Sequence, residues 1–325
     1  MAPAGLIGGI DVGGTKILAA ITDGRGRVLA SGHRPTGAQE SPDAVIGRMA
    51  EAILEALGAL GQGPQGLSGV GLAIAGPCDL ERGLVTSSPN LPGWRDVPAA
   101  RLLQERLGVP AHLENDATAA TWGEYHFGVG RGSRHMLYLA IGTGIGGGIV
   151  VDGRLYRGAA GAAGELGHVS IQEDGPLCHC GSRGCLEALA SGWALAQGGK
   201  ELVARSRAPT MARLAQEAGG VTAEVVHQAA LSGEAEALRI IEEAGRHLGV
   251  ALANFVNIFN PEVIAIGGGL SQMGEILLAP ARRTMMERAF ALPAGLVRVE
   301  VGQLGELAGV LGVGALVRER MAPSP

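Results

Sequence analysis

Lysine is almost absent: Lys16 and Lys200 stand alone among 26 basic residues, and the rest are arginines. That bias reads as genome composition rather than function. Positive charge is also short. The 325 residues carry a formal net charge of −5, so there is no electrostatic case for binding nucleic acid or an anionic lipid surface. No run of about 20 apolar residues occurs, so nothing reads as a membrane span. The opening MAPAGLIGGIDV lacks both a basic n-region and a long apolar stretch, which argues against a secretory signal. The plain reading is a cytoplasmic protein. There the four cysteines point to metal ligation or catalysis rather than to disulfides. Low-complexity tracts and obvious linkers are missing as well.

What is abundant is glycine, 55 residues, within a chain that is 46% hydrophobic. A length of 325 exceeds a typical single core, so two domains are expected. GLIGGIDVGGTKILAAITDGRGRVLASG reads as strand, Gly-rich turn, strand, DGR turn, strand. MLYLAIGTGIGGGIVVDGRLYRG reads the same way. A shift of 129 places Gly13 on Gly142 and Asp23-Gly24-Arg25 on Asp152-Gly153-Arg154, so the fold is expected to be duplicated. Between the two units come a capped helix from Ser41 and Pro42 to Leu60, a strand VGLAIAGP, a helix from Pro98 to Leu107, and a strand VPAHLE running into a helix that ends near His126. Past residue 187 the pattern is mainly helical, with a helix over Glu234 to Phe259, a strand EVIAIGGGL, a helix to Phe290, and a last helix over about Glu306 to Arg320. Strands alternating with helices give an α/β class. Cys78, after an apolar run, reads as a small core residue.

Three loops could hold phosphate: Asp11-Val12-Gly13-Gly14-Thr15-Lys16, Gly142-Thr143-Gly144 and Gly267-Gly268-Gly269. Glycine lets backbone N–H groups converge on an anion with no Cβ in the way. The spacing GxxxxGK[ST] is absent. Gly142, Gly144 and Gly147 do fit GxGxxG, but GIVVDG after them reads as a strand, whereas a dinucleotide fingerprint must open a helix. Asp11 ends an apolar strand beside such a loop. It is placed to hold Mg²⁺, or else simply to cap a turn. Thr15 and Lys16 add a hydroxyl and a cation. Asn115 and Asp116 lie between a strand and a helix. They read either as helix caps or as an amide donor and a base at the strand end where open α/β sheets place ligands.

Cys178, Cys180 and Cys185 supply three thiols within eight residues, and His168 lies ten residues before them. Cys₃His is a closed structural zinc set. CxxC is absent, a disulfide would leave one cysteine odd, and a nucleic-acid finger would need a second histidine at finger spacing. His179 is an alternative fourth ligand, but it is squeezed between two cysteines and is expected to point away. Such a site would fix the segment carrying Glu165, His168 and Glu187. Nucleotide binding is expected to depend on it less, because the Gly loops lie elsewhere in the sequence.

DVGGTK at 11–16, END at 114–116, GTGIGGG at 142–148, ELGH at 165–168, CxCGxxGCxE at 178–187 and GGG at 267–269 together resemble the ROK family of bacterial sugar kinases. ENDATAATWGEYHFG and GAAGELGH look most like its glucokinases. The resemblance implies an actin-like, duplicated two-domain α/β fold with an interdomain active-site cleft. It places a small domain at 1–115, completed by about 303–325, and a large domain at 116–302 carrying the zinc loop. It implies that Asp116 is the general base and Asn115 a sugar ligand, with Glu165, His168 and Glu187 on sugar hydroxyls and Asn90 and Gly76 lining the same site. Asp11, Gly13, Gly14, Thr15, Lys16, Gly142, Thr143, Gly144 and Gly268 fall to ATP and Mg²⁺. His168, Cys178, Cys180 and Cys185 take one structural Zn²⁺. The implied reaction is ATP-dependent phosphorylation of glucose to glucose 6-phosphate, by a homodimer or homotetramer with no nucleic-acid or membrane partner. The alternatives are another hexose (mannose, fructose or an N-acetylhexosamine) or a sugar-responsive regulator. The latter needs a helix-turn-helix for which the first strand, starting near Leu6, leaves no room.

Overall fold

The computed structural model describes residues 5–23 and 25–321. Its contacts fall into two compact units. One comprises the residues up to Gly132, Arg154–Ala163 and those from Gln303 on; the other comprises Ser133–Gly153 and Gly164–Gly302. The first unit therefore runs past the expected boundary after 115 and takes in the helix Asp116–Phe127, which packs on the final helix.

In the first unit a five-stranded sheet is ordered Val28–Pro35, Lys16–Thr22, Leu6–Val12, Leu67–Ile74, Ala111–Asn115. The first three strands pair antiparallel and the last three run parallel. The second unit repeats that order with Ile145–Val151, Met136–Ile141, Val263–Gly267 and Arg298–Val301: a hairpin, then parallel neighbours. This is the duplication that the 129-residue shift foresaw. The strand Ile145–Val151 also follows Gly144 directly, as the exclusion of a dinucleotide loop required. Gly24 of the expected DGR turn lies outside the described residues. Beside it the Asp23 carboxylate accepts the N–H groups of Arg25 and Arg27 at 2.9 and 3.0 Å.

The helices follow their local signals. Ser41 caps Pro42–Gly58 by accepting from the Ala44 N–H at 3.3 Å. Ala99–Leu107 stops at Gly108, whose φ of 68° suits a left-handed cap. Ala235–Phe259 buries Ala237, Ile241, Ala244, Leu248, Ala251 and Phe255, a spacing of three or four that gives one apolar face. None of the described helices is long and apolar enough to cross a membrane. Two features escaped the sequence reading: a small sheet of Cys78–Asp79, Leu84–Ser87 and Arg95–Val97, and the strand Arg298–Val301. Each strand has only two to four residues, too few to show a period. Cys78 is half-buried at the edge of the first unit's core rather than inside it.

The final helix, Leu307–Met321, is buried continuously from Ala308 to Val317. It can be so because glycines let backbones touch. A methyl on Gly312 would overlap the Ala119 carbonyl, and one on Gly123 would overlap the Ala308 carbonyl. Gly9 and Gly71, on the sheet, face Val310 and Val313 at the same close range. The Glu124 carboxylate adds a polar fastening. It is 1% exposed and accepts the N–H groups of Val129, Gln303 and Leu304 at 3.2, 3.1 and 2.8 Å.

Gly312→Ala is therefore expected to destabilise the protein by about 3 kcal/mol, the upper range for overpacking, because its neighbours are backbone atoms that cannot rotate aside. Gly58→Ala, at the end of a helix with nothing within 4 Å, should be neutral or stabilising by up to about 1 kcal/mol. Urea unfolding of both variants checks the contrast.

Candidate functional site

In the first unit the candidate residues gather at the C-terminal ends of the three parallel strands. Asp11 is the penultimate residue of Leu6–Val12, Gly76 follows Leu67–Ile74, and Asn115 ends Ala111–Asn115. Ligands of open α/β sheets are found at such an edge. Asn115 is tied on both sides. Its Oδ1 accepts the Thr118 N–H at 3.1 Å, capping Asp116–Phe127, and its Nδ2 donates to the Gly76 carbonyl at 3.2 Å. The capping role is thus real, and it fixes Asp116 at the first position of the helix. Asp116 Oδ1 accepts the Ala117 N–H at 2.8 Å. Gly76 has φ of 110°, and a Cβ there would overlap the Ser87 carbonyl.

Asp11 stands near enough to Asp116 to feel its charge. Burial first, then repulsion by Asp116, pushes the Asp11 carboxyl up to about 7, against an opposing pull from Lys16. The next loop is pinned from behind. Gly13 N–H donates to the Lys16 carbonyl at 3.0 Å, and the buried Thr36 hydroxyl donates to the Gly13 carbonyl at 2.7 Å. Gly14 and Thr15 are left exposed at its tip, with Asn90 packed beside Gly14. Lys16 is exposed and pairs with Glu306, whose carboxyl this contact holds below its ordinary range.

The second unit brings together the remaining candidates. Gly142-Thr143-Gly144 is a tight turn in which Gly142 N–H donates to the Gly144 carbonyl at 2.9 Å. Gly268, with φ of 78°, lies against the Ile141 backbone at the end of the neighbouring strand. Glu165 and His168 come together because Leu166–His168 forms a 3-10 turn, in which residues three apart lie one above the other. His168 Nε2 is 3.9 Å from Glu165. Gly167 between them admits no side chain, since a Cβ would overlap the Ile145 carbonyl.

The other imidazole nitrogen, Nδ1, lies 3.7 Å from Cys178 Sγ, and Cys180 Sγ lies 3.7 Å from Cys185 Sγ. All four candidate ligand atoms fall within 4.8 Å of one another. Zinc–sulfur bonds of about 2.3 Å in a tetrahedron put neighbouring ligands about 3.8 Å apart, so this donor set fits Zn²⁺. The turn over Cys178–Gly181 and the bridge between Ser170 and Cys185 bring the distant residues together. His179 faces Trp193, ring centroids 4.3 Å apart, and is not part of the cluster.

Two contributions were not foreseen. Glu114, 3% exposed, accepts from the Asn115 N–H at 3.0 Å and from Arg157 at 2.7 Å, so it steadies the strand end that bears Asn115. The sequence does signal this residue: it is a carboxylate inside a buried strand, which needs a partner. Glu187 Oε2 accepts the Ile145 N–H at 2.8 Å, and no sequence pattern announces that contact. Cys78 is inert by comparison. Burial, then Glu114 and Asp116, push its thiol up to about 12.

Residues 7–320 match the ROK family. The glucokinase of Thermotoga maritima is 38% identical over 96% of this chain and 97% of its own length. The xylose repressor of Caldicellulosiruptor bescii is 33% identical over 99% of this chain and 80% of its own. A ROK family glucokinase from Streptomyces griseus, solved with glucose and AMPPNP, is 34% identical and superposes with a TM-score of 0.83 over 97% of this chain and 100% of that one. With the repeated sheet order, the strand-end carboxylates and the Cys₃His cluster all present, the chain belongs to the ROK family and has its actin-like, two-domain fold.

Proposed function

We propose that the protein is an ATP-dependent hexose kinase that converts glucose to glucose 6-phosphate. The observation that carries the reading is the carboxylate pair, Asp11 and Asp116, held at the same edge of one sheet with a single strand, Leu67–Ile74, between them, beside the Gly13–Gly14 turn. Two anionic groups kept this close favour a divalent cation. Asp11 would hold Mg²⁺, which when bound neutralises phosphate charge. The amides of the Gly13–Gly14 and Gly142–Gly144 turns and of Gly268 suit the phosphates, since glycine adds no Cβ at these positions and Gly14, Thr15 and Thr143 are exposed.

Asp116 then accepts the proton of the sugar's 6-hydroxyl as that oxygen attacks the terminal phosphorus of ATP. Asn115, Asn90 and Gly76 line the sugar side in the first unit; Glu165, His168 and Glu187 do so in the second. His168 divides its labour, with Nδ1 toward the cysteines and Nε2 toward Glu165. One structural Zn²⁺ held by His168, Cys178, Cys180 and Cys185 would fix that ring and leave no open position for chemistry. Lys16 is the weakest of the assignments, because Glu306 competes with phosphate for its charge. A cytoplasmic setting and assembly as a homodimer or homotetramer complete the proposal.

Asp116→Asn should lower kcat by about 10²–10⁴-fold, the range for a general base, while sugar binding survives. Coupled ADP-release assays over glucose, mannose, fructose and N-acetylhexosamines read both the base and the substrate; a kcat within tenfold of the parent would exclude Asp116 from this role. The purified protein should contain close to one zinc per chain by elemental analysis, and Cys180→Ser should lose it together with much of the sugar affinity. Proton and metal compete for Asp11. Its ionised form, dominant above about pH 7, is the one that binds, so Mg²⁺–nucleotide affinity should weaken about tenfold from pH 8 to pH 6. Asp11→Asn should flatten that profile.

A further inference from the structure

We infer that Glu187 is a positioning residue that couples the Cys₃His segment to the Gly142–Gly144 turn, so that metal occupancy sets nucleotide affinity as well as sugar affinity. The inference rests on the reading of that turn as a phosphate loop.

Glu187 follows the ligand Cys185 by two residues, in the first turn of the helix Leu186–Ala190. Its carboxylate reaches in two directions. Oε2 accepts the N–H of Ile145, the residue that leaves the turn, at 2.8 Å. Oε1 lies 3.6 Å from Cys178 Sγ. Gly144 makes room for this carboxylate, because a Cβ there would overlap Oε2. The segment just beyond braces the same turn by its backbone: Gly192 N–H donates to the Gly142 carbonyl at 2.8 Å, and Trp193 N–H to the Thr143 carbonyl at 3.1 Å. From the ligand side, Gly167 lies directly on the Ile145 carbonyl. Ile145 is thus held at its N–H by Glu187 and covered at its carbonyl by the residue preceding His168.

Residues that flank two metal ligands, one from each end of the Cys₃His segment, grip the exit of the loop. A metal that fixes His168 and Cys185 fixes both grips. When the metal is absent, the helix start that aims Glu187 loses its anchor, and the amides of the turn lose their shared orientation. The separation in sequence had pointed the other way.

The test is binding of Mg²⁺–AMPPNP without sugar, by titration calorimetry, to the parent and to Glu187→Ala and Glu187→Gln, with zinc content measured on each sample. A lost charge-assisted hydrogen bond suggests roughly tenfold weaker nucleotide binding in Glu187→Ala at unchanged zinc content. Glu187→Gln keeps an acceptor for the Ile145 N–H and should bind nucleotide within about twofold of the parent, even where its sugar KM rises. Stripping the metal from the parent by chelation should weaken nucleotide binding by a similar factor, and stripping it from Glu187→Ala should add less than it costs the parent, because the Glu187 grip is already gone and only the Gly167 grip is left to lose. Zinc-loaded Glu187→Ala with parental nucleotide affinity, or metal and mutation effects that simply add, would overturn the coupling. A parent that binds no adenine nucleotide at all would instead overturn the kinase reading.

Discussion

Backbone touching backbone, where the final helix meets Asp116–Phe127, is the constraint on which the first unit depends. Gly312 and Gly123 leave no space for a side chain at the crossing, so the two helices are as close as the chain permits. The helix that Asn115 caps is held in this way, and with it the position of Asp116. Gly309, one turn earlier in the final helix, lies directly against the Asp11 carboxylate. The two carboxylates therefore owe their proximity to one another to a helix encoded nearly two hundred residues after Asp116. Van der Waals contact of this kind is short in range and intolerant of volume change, which suits a role in aiming charged groups.

Glycine serves two ends in the protein. At Gly76 and Gly268 it supplies backbone angles that a side chain would resist. At Gly167, Gly144 and the helix crossing it supplies proximity. The second use is what lets the Cys₃His segment lie flat on the strand that leaves the Gly142–Gly144 turn. A small cluster of thiols can then serve a site of quite different chemistry, because the two share a wall.

Much of this was legible in the sequence, and the reason is local. The hairpins are written in contiguous Gly-bounded apolar runs, the Cys₃His cluster in three cysteines within eight residues and a histidine ten before them, and the capped helices in Ser41-Pro42 and Asn115-Asp116. The duplication, though not the strand order, followed from the internal repeat. What could not be read are links between residues remote in sequence: Glu114 to Arg157, 43 residues on, Glu187 to Ile145, 42 residues back, and Glu124 to Leu304, 180 residues on. Each is a carboxylate answering a backbone N–H or an arginine, and such partners exist only once the fold has formed. The extent of the first unit was hidden for the same reason, since Asp116–Phe127 joins that unit through contacts with the chain's far end.

The Glu124 carboxylate grips Val129 on one side and Gln303 and Leu304 on the other. Val129 precedes the chain's departure into the second unit by a few residues, and Gln303 is the first residue after its return. A single buried side chain thus closes a loop of chain that contains the whole second unit. On a ribosome this sets an order of events. The residues of the second unit are all made before the helix Leu307–Met321 exists, whereas the first unit, though begun before it, lacks that helix until the second unit has been made. Its sheet face and the Gly123 surface lack their partner helix through that interval, so of the two units the one begun first is completed second.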